Sequence, residues 1–162
     1  MSRLIRATLI ASMLILSSVI PALAQTTVEL EGHFREGFGR AASSDLCDLE
    51  PPFCGDGSVR GLGQATTLFF PDGTKTITLE SDGSTLVMHE TLVLFETPGA
   101  SGEAPGAQSS FGNPYTIVVT WEADPELSTG IFAGATGSGT TSVVAAGDVI
   151  IVTTEGTLTL AD

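Results

Sequence analysis

Two adjacent titratable residues, His89 and Glu90, lie in the middle of a long apolar segment and are the residues best suited to acid or base chemistry. Successive side chains of a strand point to opposite faces, so only one of the two can face the interior. Glu90 shares its face with Leu86, Met88, Leu92 and Leu94, while His89 shares the other with Val87, Thr91, Val93 and Phe95. Both faces are apolar, and the sequence leaves open which is buried. Burial of Glu90 would raise the pKa of its carboxyl group and suit it to proton transfer.

Aromatic side chains suggest a pocket for an apolar ligand. Tyr115 and Trp121 are the only tyrosine and tryptophan of the chain, and strand alternation places both on one apolar face. Ligand cavities are lined mainly by apolar and aromatic side chains with a few polar groups among them. Together with Met88, these two residues form the predicted ligand-binding set, although residues of these types also fill ordinary cores.

No motif of a known catalytic class is present. The chain lacks a Gly-x-Ser-x-Gly elbow, a phosphate-binding loop and a zinc-spaced histidine pair, and two histidines leave little room for a hydrolytic triad. Acidic residues gather within 45–56 and 122–126, but their spacing fits no standard calcium loop. We therefore expect no metal site and no cofactor, and the pattern favours a binding protein over an enzyme.

The first 24 residues are typical of a secretory signal peptide. Arg3 and Arg6 precede an apolar run over 7–20, and small residues before Gln25 form a cleavage site. The apolar run is shorter than the roughly 20 residues that a membrane-spanning helix needs. We expect cleavage after Ala24, export to the periplasm or the exterior, no membrane insertion, and one domain over 25–162.

The remaining chain is strongly acidic. Residues 25–162 hold four basic and nineteen acidic residues, a formal net charge of −15. A field of this sign repels phosphate backbones, so nucleic acid is not an expected partner.

The two cysteines, Cys47 and Cys54, are predicted to form a disulfide, because an exported chain with an even cysteine count usually pairs them. Closing this short loop would stabilise the fold by about 2.5 kcal/mol in the chain-entropy description.

The elements that must position these residues are strands. Period-2 alternation or strand-like composition marks seven segments, and no 3.6-residue apolar period follows residue 24. The predicted segments are 27–36, 57–70, 74–80, 85–96, 115–122, 130–145 and 149–160. Glycines inside the segments 57–70 and 130–145 indicate bends, which suit a closed sheet. We predict an all-β chain forming a single antiparallel eight-stranded barrel, with a two-sheet sandwich as the alternative.

Glycine-rich segments resemble those of a known group of barrels. The run 130–140, followed by a hairpin into Gly156–Leu160, is similar to the carboxyl-terminal hairpin of small secreted bacterial proteins related to the allene oxide cyclase and dirigent barrels. Residues 57–63 resemble that group's glycine-rich inner strand. The resemblance covers roughly the last hundred residues and implies an eight-stranded barrel with an apolar cavity. It carries over no catalytic residue, because the plant enzymes' polar residues match no individual positions here.

These observations favour a secreted, non-enzymatic barrel that binds a small apolar ligand or serves as an extracellular structural component. The alternative is a cyclase or isomerase of the allene oxide cyclase or dirigent kind, acting in the cavity with Glu90 or His89.

Overall fold

Eight antiparallel strands form a closed barrel in the computed structural model, which describes residues 25–37, 53–96, 115–146 and 149–161. Each strand pairs with its neighbours in sequence, and the last pairs with the first from the pair Thr26 and Leu160 to the pair Glu36 and Ile150. The strands are β1 (Thr26–Gly37), β2 (Phe53–Val59), β3 (Gly63–Phe69), β4 (Thr74–Leu79), β5 (Thr85–Glu96), β6 (Tyr115–Ala123), β7 (Thr136–Ala146) and β8 (Val149–Leu160). The predicted eight-stranded barrel is therefore confirmed, and the two-sheet sandwich is wrong because the sheet closes on itself.

Two of the predicted strands have different bounds in the structure. The segment 57–70 is a hairpin, in which β2 and β3 are joined by a turn with Gly61 at a φ of 76°. The segment 130–145 begins with a 3₁₀ turn at Gly130–Phe132, and its strand starts only at Thr136. Gly130 and Gly134 have φ values of 63° and 71°, which glycine adopts without steric cost, and these two glycines therefore belong to a turn.

Trp121 explains two of the strand glycines. Gly139 and Gly156 pair across β7 and β8, and the Cζ2 atom of Trp121 lies where a Cβ atom of either glycine would be. The indole Nε1 donates a hydrogen bond to the backbone carbonyl of Glu155 at 3.2 Å. These glycines therefore allow a large ring to lie directly on the sheet, which is a packing role.

The two ends of the barrel differ. At the end where odd-numbered strands begin, Leu30, Leu79, Ala135 and Leu158 belong to a buried core that also includes Phe132 of the 3₁₀ turn. At the other end, odd-numbered strands finish and even-numbered strands begin. Charged and aromatic side chains face inward there, and we call this the chamber end.

Candidate functional site

A buried ion pair lies inside the chamber end. Lys75 is the only lysine of the chain, and its side chain is 2% exposed at the start of β4. Its Nζ atom donates to Glu36 Oε1 at 2.7 Å, and the Thr67 hydroxyl donates to the same oxygen at 2.8 Å. The ammonium also lies 5.9 Å from the centroid of the Phe34 ring, within range of a cation–π interaction. Buried lysines are rare, and this one is neutralised by a fixed carboxylate.

Glu90 faces the same interior from β5. Leu86 and Met88 precede it on its face of the strand and are fully buried, which settles the direction of this part of β5. Burial raises the pKa of the Glu90 carboxyl group, the nearby charge of Lys75 and the hydroxyl of Thr141 oppose the rise, and the charge of Glu36 adds to it. The Glu90 Oε1 atom is buried and has no hydrogen-bond partner among the residues that the structure describes.

A cavity of about 120 Å³ lies at this end of the barrel, and we call it the chamber. Three of its lining side chains carry ionisable acid or amine groups, and the remainder are aromatic or branched aliphatic. The lining residues are Glu36, Phe53, Phe69, Lys75, Glu90, Tyr115, Ile117, Val119, Val143 and Ile150. A mostly apolar pocket with a few convergent polar groups is the usual composition of a small-molecule site.

Aromatic pairs frame the chamber. Tyr115 stacks on Phe95 with ring centroids 5.9 Å apart and an interplanar angle of 25°. Phe53 and Phe69 meet edge to face at the same centroid distance, across the β2–β3 pairing. Burial raises the pKa of the Tyr115 hydroxyl. These rings provide flat apolar walls for a bound ring or short hydrocarbon chain.

A β-bulge in β5 lies behind the stacking of Phe95 on the chamber residue Tyr115. The pairing with β6 shifts between Leu92 and Leu94, so that Phe95 is opposite Ile117 and can stack on Tyr115. Leu92, Val93 and Leu94 are all exposed. The alternating apolar row expected from Leu86 to Leu94 is therefore buried only as far as Met88. Beyond Leu92, the extra residue also reverses the phase of the strand.

His89 lies on the outside of the barrel. Its side chain is exposed, and its Nε2 atom is 2.9 Å from Asp124 Oδ2. The other oxygen of Asp124 accepts the backbone N–H groups of Glu126 and Leu127. His89 thus braces the turn that follows β6 and does not reach the chamber.

A depression of about 510 Å³ on the outer wall also includes His89. Its lining spans β5, β6 and β7, and its polar side chains are exposed: His89, Thr91, Thr120, Glu122, Ser138 and Thr140. No described residue there has a buried polar atom without a partner. The chamber is the stronger candidate because its polar atoms are withdrawn from water and one of them is unpaired.

The predicted ligand-binding residues occupy different places. Tyr115 lines the chamber, whereas Trp121 and Met88 are 1% and 0% exposed in the packed core and are not chamber-lining residues. Cys54 is buried in β2, but Cys47 lies outside the described residues, so the disulfide stays a prediction. Residues 1–24, assigned to the signal peptide, also lie outside the described residues.

Glu36 and Lys75 were not predicted as site residues, although strand periodicity contained the signal. Glu36 continues the inward phase of Leu30 and Phe34, and Lys75 precedes Ile77 and Leu79 in the same phase. A charged residue on the apolar phase of a strand is the pattern that identified Glu90. The same criterion, applied to the ends of the strands, selects both partners of the ion pair.

Within the described ranges, no group of three or more histidine, cysteine, aspartate or glutamate side chains is arranged to hold a metal ion. No helix in that part of the chain is long and apolar enough to cross a membrane. The chain matches no known protein family, no curated protein and no solved structure at a significant level of similarity.

Proposed function

We propose that the protein is an exported, non-enzymatic barrel that binds a small, mostly apolar molecule with one polar group in the chamber. The observation that carries this proposal is the unpartnered Oε1 atom of Glu90 beside an apolar cavity. A buried polar atom without a partner costs about 1–3 kcal/mol, and a ligand that hydrogen-bonds to Glu90 would recover part of that cost.

The electrostatics of the site favour a neutral ligand. Lys75 and Glu36 already neutralise each other at 2.7 Å, and burial makes the charged form of Glu90 less favourable than it is in water. An anionic ligand would also approach against the acidic field of the chain, whose formal net charge is −13 with the signal segment included. A neutral acceptor such as a hydroxyl, ether or carbonyl oxygen suits the site best.

The size of the chamber limits the part of the ligand that it encloses. An apolar cavity of about 150 Å³ holds benzene. The chamber, at about 120 Å³, therefore suits one compact ring or a short branched chain packed against Tyr115. The apolar walls supply the affinity at roughly 25 cal/mol per Å² of apolar surface removed from water.

Matched aromatic probes test this proposal. Toluene, benzyl alcohol and benzoate share one ring and differ in the polar group, and their binding can be measured by ligand-observed NMR titration. We expect benzyl alcohol to bind roughly two- to tenfold more tightly than toluene, the value of one recovered hydrogen bond, and benzoate to bind most weakly. Equal binding of benzyl alcohol and toluene, or binding of neither, would contradict the proposal.

Two variants locate the effect. Glu90→Leu removes the polar partner but keeps an apolar wall, so toluene binding should persist while the preference for benzyl alcohol disappears. His89→Ala is the matched control from the adjacent position, and its side chain faces the outside of the barrel. The His89→Ala variant should prefer benzyl alcohol over toluene to the same extent as the unmodified protein.

A second candidate function is a cyclase or isomerase reaction inside the chamber, as the resemblance to the allene oxide cyclase and dirigent group implies. The specific observation in its favour is the position of Glu90 in the lining of the chamber, where burial raises the pKa of its carboxyl group as it does in carboxylic acids that act as general acids. A shared barrel architecture by itself does not establish a shared activity. Styrene oxide is a suitable small probe, because acid-assisted opening of its ring needs a proton donor. Turnover that is lost in Glu90→Gln while benzyl alcohol binding persists would favour the enzyme.

Export is part of the proposal and is supported by the signal-like segment 1–24. Amino-terminal sequencing of the protein recovered from the medium or periplasm should begin at Gln25.

A further inference from the structure

The single lysine of the chain lies where a reactive amine would be useful. Lys75 lines the chamber, and its Nζ atom lies 2.7 Å from a carboxylate. We propose that Lys75 condenses reversibly with the carbonyl group of a bound aldehyde or ketone to form an imine. This inference rests on the proposed ligand site and narrows its ligands to apolar carbonyl compounds.

The distribution of basic residues supports a chemical role for this amine. The other five basic residues of the chain are arginines, and the only lysine is placed in the interior. Arginine remains protonated in proteins, whereas lysine can lose a proton and act as a nucleophile. Packing alone does not explain the choice, because replacing a buried ion pair with apolar residues is often neutral or stabilising.

Glu36 and Glu90 can carry the protons of the condensation. The Lys75 ammonium passes one proton to Glu36, and the freed lone pair attacks the carbonyl carbon while the carbonyl π electrons move to oxygen. Glu90 protonates that oxygen and then accepts a proton from the nitrogen. Glu90 next protonates the hydroxyl group, which leaves as water while the nitrogen lone pair forms the C=N bond. Finally, Glu36 passes the proton that it received from Lys75 to Glu90.

The step balances without an additional reagent. Of the three ammonium protons, one stays on the iminium nitrogen and two leave in the water molecule that carries the carbonyl oxygen. Both carboxyl groups recover their starting protonation, and the positive charge remains beside Glu36. The apolar walls limit the access of the water that would hydrolyse the product.

Borohydride trapping tests the inference directly. Purified protein is incubated with benzaldehyde, reduced with cyanoborohydride, digested and mapped by mass spectrometry. We expect one benzyl group on Lys75, with any second adduct confined to the amino-terminal amine, since the chain has no other lysine. The same reaction in urea measures the unfolded chain, and the folded protein should give roughly tenfold or more trapped Lys75 at short times because the site orients the reactants.

Lys75→Arg is the matched variant. It keeps a positive charge opposite Glu36 but cannot form an imine, so it should retain the circular dichroism spectrum of the barrel and give no adduct at position 75. Should the variant fail to fold, the comparison of folded and unfolded unmodified protein still decides the question.

Benzyl alcohol separates this inference from the proposed function, because it fits the same chamber and has no carbonyl group. Binding of benzyl alcohol without a Lys75 adduct from benzaldehyde would overturn the imine and leave the binding site intact. Absence of both would overturn both. A Lys75 adduct that forms no faster in the folded protein than in urea would also overturn the inference.

Discussion

Lys75 Nζ lies 2.7 Å from Glu36 Oε1, and both side chains are buried inside the barrel. The pair joins β4 to β1 across the interior, since these two strands are not neighbours in the sheet. Loss of either charge would leave the other one buried without its partner. The stability of that end therefore depends on both residues.

Removing one partner of this pair should destabilise the fold strongly. We expect Glu36→Gln to lower the free energy of unfolding by about 3–5 kcal/mol, because an uncompensated buried ammonium remains. Urea denaturation followed by Trp121 fluorescence measures the loss. The double variant Glu36→Leu with Lys75→Met should recover most of it, and a double variant as unstable as the single one would show that the cost is not electrostatic.

Glu90 should make stability fall as the pH rises. Burial raises the pKa of its carboxyl group above the ordinary value of 4.5, so the folded chain keeps a proton that the unfolded chain releases. The resulting stabilisation is complete below the ordinary pKa and is lost as the pH rises from there through the raised pKa of the folded state. Urea midpoints measured across this range should decline more steeply for the unmodified protein than for Glu90→Gln. Parallel curves would contradict the burial of this carboxyl group.

Gly139 should not tolerate a side chain. A Cβ atom there would meet Trp121 Cζ2 at 2.6 Å and also collide with the backbone carbonyl of Glu155. We expect Gly139→Ala to cost about 1–3 kcal/mol, the usual range for overpacking, and to shift the tryptophan emission. Ser138→Ala is the neighbouring control, because Ser138 is exposed on the outer face of the same strand. Equal stability of the two variants would show that Trp121 does not lie on the glycine.

The bulge in β5 should govern the shape of the chamber. Deleting Val93 would remove the extra residue and reverse the phase of the strand, turning Phe95 away from Tyr115. We expect the deletion variant to remain folded at the opposite end and to lose binding of toluene and benzyl alcohol. Val93→Thr keeps the residue count and serves as the control, with binding unchanged. Retained binding in the deletion variant would contradict the role of the bulge.

Strand alternation predicted the barrel well because strands such as β1 and β6 have an apolar phase, and closing the sheet buries that phase. It also placed Glu90 on an apolar row. The local sequence could not decide between Glu90 and His89, because residues on both faces of β5 are buried. Leu86 belongs to the core, and Val87 is also buried and donates its backbone N–H to Ser128 of the segment that follows β6.

The remaining differences have specific physical causes. The bulge after Leu92 changes the phase without a glycine or proline to mark it, so alternation extrapolated past it fails. In the sequence, Gly139 suggested a bend in its strand. In the structure it leaves room for the ring of Trp121, which belongs to another strand. The pairing of Glu36 with Lys75 joins positions 39 residues apart, and only the closure of the barrel brings them together.

The burial of Lys75 leaves the outside of the protein almost without primary amines. The other five side chains of the Lys and Arg kind are guanidiniums, so the amino terminus is the only primary amine outside the barrel. A Lys75 that reacts rapidly with an acylating reagent too large or too polar to enter the chamber must come from a molecule whose barrel has opened. The placement that would present the amine to a bound carbonyl compound thus shields it from every other electrophile.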